Sequence, residues 1–255
     1  MGLIDLITAI ADAIRSKTGK EDKLTLGQMA TEIESIQTGG NNQIDDIIAG
    51  KMIDVVSDVT NIAAYAFNYS NYLQSASFPN LVTVQVSSFG NCIKLASVYM
   101  PNVTSISYGG FNNCQSLTAF DFSKIETLGG NSFNKSKITE AILPNLTKFG
   151  SSGDFSSCIN LAKVVIGKKV TIPNSTFGGC SALDTLILRG ETKSTLSAVN
   201  AFTNTPIANG TGYIYVPKAL LSDEDATKDY RRATNWITFA EQFRAIEDYP
   251  EICGG

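Results

Sequence analysis

The stretch Phe89–Leu117, FGNCIKLASVYMPNVTSISYGGFNNCQSL, decides the fold. It opens on a phenylalanine, with a cysteine three positions on and a leucine six positions on. After 22 residues (111−89) the next phenylalanine starts the same order again. Working outward, Phe67, Phe89, Phe111, Phe133, Phe155 and Phe177 all keep this spacing, and Phe202 follows after 25 (202−177). A fixed period in the range of about 20–50 residues marks a stacked array of small units, not a folded globule.

Each unit has a physical logic. Leu73, Leu95, Leu117, Leu161 and Leu183 stand six residues after their phenylalanine. Apolar pairs then alternate with other residues, as in Val98 and Met100, Phe120 and Phe122, Val164 and Ile166, or Leu186 and Leu188, the pattern of a half-buried strand. Pro79, Pro101 and Pro144 close these runs. A second pair precedes the next phenylalanine: Leu81 and Val84, Val103 and Ile106, Ile125 and Leu128. Two brief strands and a tight phenylalanine-bearing bend therefore make one coil. Because a single coil cannot bury its own apolar edge, neighbours must stack, at about 4.8 Å per strand pairing. In the fourth coil Ile138 falls one position early, and Gly150-Ser151-Ser152-Gly153 restores the spacing before Phe155, which predicts a bulge compensated within the coil.

The ends differ from the middle, as the caps of a solenoid must. Leu3, Ile7, Ile10 and Ile14 alternate steps of four and three, the seam of an amphipathic helix. Gly19 stops it, and Thr25 to Gln28 has the form of a capping box for a second helix carrying Met29, Ile33 and Ile36. The expected organisation is a helical attachment or oligomerisation module over 1–38, a linker over 39–50, the solenoid over 51–209 and a capping segment over 210–255. Within the cap, Tyr213 to Val216 alternates like a strand, and residues 222–248 read as one or two helices around Trp236. The fold expected is thus mostly β: a leucine-rich-repeat solenoid of about six to seven 22-residue coils between an N-terminal helical hairpin and a C-terminal α/β cap.

Composition narrows the function. The chain has no histidine, which removes Ser-His-Asp and Cys-His catalysis and most zinc sites. Its net charge of −4 gives no basic footprint for nucleic acid. No segment approaches the roughly 18 apolar residues of a membrane span. Asp45-Asp46 and Asp223-Glu224-Asp225 lack the spaced oxygens of a calcium loop, and the latter reads as a helix start capped by Ser222. Lys17 to Lys20 lacks the glycines of a phosphate loop. No metal, cofactor or enzymatic activity is expected. The N-terminus is interrupted by Asp5 and Asp12, has no preceding basic residues and no small-residue cleavage site, so it does not read as a secretory signal. Leu6 also departs from the myristoylation pattern.

Cys92, Cys114, Cys158 and Cys180 hold the position three after the phenylalanine, which Ser70 and Ser136 hold elsewhere. Exchange with serine points to a small interior position and free thiols, whereas Cys253, outside the repeats, is expected to be exposed. The side chains that alternate with the core would line a continuous outward face, where solenoids usually bind. That row carries Ser75, Ser77, Ser97, Tyr99, Ala119, Asp121, Lys163, Val165, Thr185 and Ile187. Ser77, Ser97, Tyr99, Asp121, Lys163 and Thr185 are the candidate contacts for a sugar or a peptide. A glycan-cleaving solenoid would need paired carboxylates, and the row offers only Asp121 and Asp184, two to three coils apart.

The pattern F-x-x-C-x-x-L-x-x-h-x-h-P, followed by h-x-x-h, resembles the BspA-type leucine-rich repeats of bacterial surface proteins over residues 59–188. The opening IADAIRSKTGKEDKLTLGQMATEI is similar to a helical module of phage and prophage tail-associated proteins, and GYIYVPKALLSDEDATKDYRRATNWITFAEQF to a segment closing such arrays in gut bacteria and their phages. Together these resemblances imply a phage tail or receptor-binding component, assembled in the cytoplasm into the virion. Its repeat face would contact a host-surface glycan or protein, and its helices would bind other tail proteins or sister copies, with a trimer guessed. The alternative is a bacterial cell-surface adhesin of the same repeat family. Thiol titration of the denatured, unreduced chain is expected to return five free groups, one for each cysteine; a smaller number would mean disulfides.

Overall fold

The computed structural model describes residues 54–254 of the chain. The helical module expected over 1–38, its seam of Leu3, Ile7, Ile10 and Ile14, and the linker over 39–50 lie outside these residues.

The two strand series of each coil stack into parallel sheets. On one side, β1 (Asp54–Val56), β2 (Ser75–Ser77) and β4 (Ser97–Tyr99) form a three-stranded sheet. A five-stranded sheet follows: β7 (Glu140–Leu143), β8 (Lys163–Ile166), β10 (Thr185–Leu188), β12 (Tyr213–Val216) and β13 (Phe243–Ala245). On the other side run β3 (Thr83–Val84), β5 (Ser105–Ile106) and β6 (Thr127–Leu128), then β9 (Thr171–Ile172) and β11 (Thr195–Leu196). The register carries the sequence period directly, since Ser75 pairs with Ser97 and Lys163 with Thr185, each 22 apart. The irregular fourth coil behaves as its spacing predicts. Glu140 pairs with Lys163, 23 apart, while Thr127 bridges Lys148, 21 apart, so the slip is taken up inside the coil. Gly150 enables the recovery, because a β-carbon there would strike the backbone of Gly129 and Gly130.

The phenylalanine bends form the spine. Rings from Phe67 to Phe202 stack in one column, with centroids 5.2 Å apart for Phe67 and Phe89, 5.6 Å for Phe133 and Phe155, and 5.6 Å for Phe177 and Phe202. The long sixth spacing, 25 residues from Phe177 to Phe202, therefore leaves the stack intact. Each bend is locked to the next by a hydrogen bond from the phenylalanine N–H to the carbonyl preceding the following phenylalanine, as in Phe111 to Ser132 (2.8 Å) and Phe133 to Asp154 (2.8 Å). The bend turns through two left-handed residues, two before and two after the ring. Ser87, Gly109, Asn131, Gly153 and Ser175 hold the first place; Asn91, Asn113, Lys135, Ser157 and Gly179 hold the second. Glycine and asparagine suit this conformation best.

The cysteines are buried free thiols, as their exchange with serine indicates. Cys92 donates to the Phe67 carbonyl (3.0 Å), Cys114 to Phe89 (3.1 Å), Cys158 to Phe133 (3.0 Å) and Cys180 to Phe155 (3.0 Å), so each ties its coil to the one before. Asp154 is buried at a place filled by Ser88, Ser132 and Thr176 in three other coils and by alanine or glycine in the rest. It accepts from the N–H groups of Gly130 (2.9 Å) and Gly150 (2.7 Å) and from the Ser132 hydroxyl (2.9 Å).

Three expectations need correction. First, residues 119–122 form no strand and break the first sheet into two. Phe120 and Phe122 put two rings into one coil, packed on Phe111, Phe133 and Phe155, and no strand pairing forms over them. Second, residues 222–248 hold no α-helix: 3-10 segments at Tyr230–Arg232 and Trp236–Gln242 lead into strand β13, and a further 3-10 turn, Ile246–Asp248, follows it. Ser222 does accept from the Asp225 N–H (3.0 Å), as a helix cap would, but Asn235 turns left-handed and ends any helical run before Trp236. The segment instead packs Tyr230, Trp236, Phe239 and Phe243 against the last coil, with Phe239 edge-on to Phe202 at 5.4 Å, closing the column. Third, Cys253 is buried, because the chain end folds back over the sheet.

Burial pushes the Cys92 thiol up to about 12 and raises Cys114 well above the ordinary value of 9.0. A thiol raised on folding stabilises the native chain fully below the unfolded value and loses that contribution as pH rises toward the folded one. Urea stability is therefore expected to fall between about pH 9 and pH 12, by roughly 1.4 kcal/mol per pH unit for each such thiol. The Cys92→Ser/Cys114→Ser variant is expected to fall less steeply; parallel curves for the two proteins would refute the assignment.

Candidate functional site

The outward row can be followed rung by rung from the strand pairing. Val56 lies beside Ser77 and Ser77 beside Tyr99. After the strandless coil that carries Asp121, Ile142 lies beside Val165, Val165 beside Ile187, and Ile187 beside Tyr215. The parallel row runs Asp54, Ser75, Ser97, then Glu140, Lys163, Thr185 and Tyr213. Alternation explains both: with Ala141 and Leu143 turned into the core, Glu140 and Ile142 must face out.

The two halves of this face differ. In the second half, Val165, Ile187 and Tyr215 are buried together with Cys253 beneath Ile246, Tyr249 and Ile252. These come from a strap, residues 246–253, which leaves β13 through a 3-10 turn (Ile246–Asp248) and ends in the one-turn helix α1 (Pro250–Cys253). Arg189 fastens it by donating to the carbonyls of Cys253 and Gly254, and Tyr249 meets Tyr215 edge-on at 5.5 Å. The expectation that Val165 and Ile187 face outward holds for their direction, but not for their exposure. Lys163 and Thr185 flank the covered stretch. Lys163 pairs with Glu140 at 3.7 Å, and Thr185 donates to Asp184 at 2.8 Å.

The first half is open. Tyr99 is 61% exposed and Ile142 47%, with Ser97 exposed and Ser77 half-buried between coils. Where the sheet is broken there is a recess of about 430 Å³, lined by Phe120, Asp121, Phe122, Glu140, Ile142 and Pro144 among others. The same double phenylalanine that displaces the strand makes this hollow. Of the candidate residues only Asp121 lies in it; Tyr99 and Ser97 stand one coil away and Thr185 well beyond. Glu140 and Ile142 were missing from the sequence reading because the slipped spacing of the fourth coil hid which of its side chains alternate outward.

Hydrogen bonds from Ser123, its side chain foremost and then its N–H at 2.9 Å, hold the Asp121 carboxyl below the ordinary carboxylate range. It is therefore an anion at neutral pH and no proton donor. Glu140 is engaged with Lys163. An anionic carboxylate beside exposed Ile142 and Pro144 favours a ligand with a cationic and an apolar part.

A family model for the BspA type leucine rich repeat region matches six copies over residues 50–153 and 104–215. The chain belongs to the BspA-type leucine-rich repeat family. Among solved structures, this BspA-type chain is similar to a Treponema pallidum leucine-rich repeat protein (26% identity, TM-score 0.54, over 64% of this chain and 85% of that one). It also aligns with a leucine-rich repeat protein of Bacteroides ovatus (19% identity, TM-score 0.47, 66% and 48%). A third alignment is with a leucine rich cell surface protein of Faecalibacterium prausnitzii (15% identity, TM-score 0.37, 80% and 67%). No curated protein matches the sequence significantly. These comparisons give the tail-protein resemblance of the two ends no support. Among the described residues of this BspA-type chain, no helix is long and apolar enough to cross a membrane.

If the strap is what covers Val165 and Ile187, loosening it must expose them. The Ile246→Ser/Ile252→Ser variant is expected to lose about 1–3 kcal/mol of stability and to bind a hydrophobic dye such as ANS. Unchanged dye binding and urea midpoint would show that the strap does not seal the face.

Proposed function

We propose that this chain is a non-enzymatic recognition protein that presents the open half of its outward row in adhesive contacts at a bacterial cell surface. The observation that carries the reading is the asymmetry of the face. One half is sealed by the strap, while the other leaves Tyr99, Asp121 and Ile142 bare around a recess. A face needed only to terminate the sheet would gain from being covered throughout, since exposed tyrosine and isoleucine forgo burial energy of order 1.5–3 kcal/mol each. Membership of a repeat family whose resemblance is to bacterial surface proteins supports the location. The low carboxylate pKa of Asp121 favours binding over hydrolysis, because glycoside cleavage needs a protonated acid as well as a base.

Beads coated with the full chain are expected to adhere to epithelial monolayers, and the Tyr99→Ser/Ile142→Ser variant to adhere at least tenfold less. Tyr65→Ser, an exposed tyrosine on the bend and off the row, is expected to adhere normally. Equal adhesion by all three would overturn the assignment of the row. Antibody labelling of intact producing cells is expected to stain the cell surface; staining of purified phage particles instead would place the same face on a virion.

A further inference from the structure

The two rings of the third coil do not share equally in opening the sheet. Strand register and the 22-residue period place Phe122 on the rung of Phe78, Met100, Leu143 and Ile166, and Phe120 on that of Ala76, Val98, Ala141 and Val164. A ring on the first rung is compatible with a strand. Phe78 follows β2 directly, is buried, and donates its N–H to the Tyr99 carbonyl at 2.9 Å. On the second rung, every strand from β1 to β12 carries an aliphatic side chain.

The ring contacts show what Phe120 does there. Phe78 seats between the column ring of its own coil, Phe67 (5.8 Å), and that of the next, Phe89 (5.9 Å). The corresponding seat in the third coil lies between Phe111 and Phe133, and Phe120 holds it, at 5.3 and 5.1 Å. Phe122 sits one coil further on, between Phe133 (5.1 Å) and Phe155 (5.8 Å). A close-packed column admits one ring per seat, so the second is carried past its own rung and the backbone leaves register. Residues 119–122 exchange no backbone hydrogen bond with either neighbouring coil. One coil earlier, Ser97 donates to the Gln74 carbonyl (3.2 Å); the matching bond from Ala119 to Ala96 is not made, nor is that from Met100 to Asp121, which would repeat the one from Phe78 to Tyr99.

We propose that Phe120 is the positioning residue of the open face: its ring takes the seat of Phe122, holds the third coil out of the sheet, and so keeps the recess beside Asp121 and Ile142 open. Its part in recognition rests on the row being the adhesive surface, while its hold on the sheet is independent of that. With valine at position 120, as at 98 and 164, the seat between Phe111 and Phe133 is free for Phe122. Residues 119–121 then pair with Ser97–Tyr99 as those pair with Ser75–Ser77.

The test compares Phe120→Val with Phe122→Leu in the full chain, by residue-resolved amide hydrogen exchange and by bead adhesion. In Phe120→Val the Met100 and Ala119 amides are expected to exchange about tenfold more slowly than in the wild-type chain. Adhesion is expected to fall by a similar factor, although Tyr99, Asp121 and Ile142 are all present. Phe122→Leu leaves the Phe120 ring in its seat and is expected to keep wild-type exchange and adhesion. Wild-type protection of the Phe89 and Phe155 amides verifies the fold, and Phe120→Leu is read in the same way where valine fails to fold. Unchanged exchange in the position-120 variants, or equal slowing in Phe122→Leu, would overturn the assignment. Slowed exchange with full adhesion would overturn the role in recognition alone. A wild-type chain that does not adhere refutes the row as an adhesive surface, and the exchange rates still decide whether Phe120 opens the sheet.

Discussion

Among the described residues, each interior coil is held between two others by the same contact, a phenyl ring sandwiched by the rings of its neighbours while its own N–H reaches the carbonyl one coil on. No coil has a core of its own. The thiol ladder adds a second tie in the opposite sense, from the position three after the ring back to the preceding phenylalanine carbonyl. Stability is consequently a property of adjacent pairs, and any local change must preserve the bend before it can alter anything else. That is why the fourth coil recovers its lost residue before Phe155, and why the longer sixth spacing is absorbed away from the ring.

With the bends fixed, variation is confined to the strands, and the strands set the outward face. In the third coil, Phe120 and Phe122 occupy places where other coils carry one smaller side chain, such as Ala76 or Val164. The rings are accommodated by surrendering strand pairing, and the surrendered space becomes the recess. At the far end, outward Val165, Ile187 and Tyr215 are apolar because the strap covers them. Arg231 helps to hold the intervening turns, contacting both Asp229 (2.9 Å) and Asp223 (2.6 Å). Thus one face of one sheet carries three different solutions: open, broken and sealed.

Much of this was legible in the sequence. Phe67 to Phe177 fixed the period, the leucines and alternating pairs fixed what is buried, and serine at positions 70 and 136 revealed the nature of the cysteine site. What escaped had physical reasons. The left-handed residues flanking each ring are chemically mixed, ranging from glycine to lysine and tyrosine, so no residue type announces them. Phe120 and Phe122 preserve the alternation of a strand, and only the volume of two rings in one coil argues against it. The strap is made by pairing over long separation, Arg189 with residues 253 and 254, which no local pattern encodes. Valine and isoleucine at outward positions 165 and 187 were its one trace, since side chains meant for water would be polar. The residues of the N-terminal module lie outside the described chain, so that reading stands where the sequence left it.

The strap also separates the length of the array from the integrity of its end. Because it is anchored to the last coils, a duplicated 22-residue unit inserted near Phe89 or Phe111 would lengthen the open face by one rung and leave the sealed end undisturbed. The same insertion beneath the strap would pull Arg189 out of reach of its carbonyl partners. Gene duplication can therefore lengthen the face at one end of this molecule and not at the other without redesigning the cap.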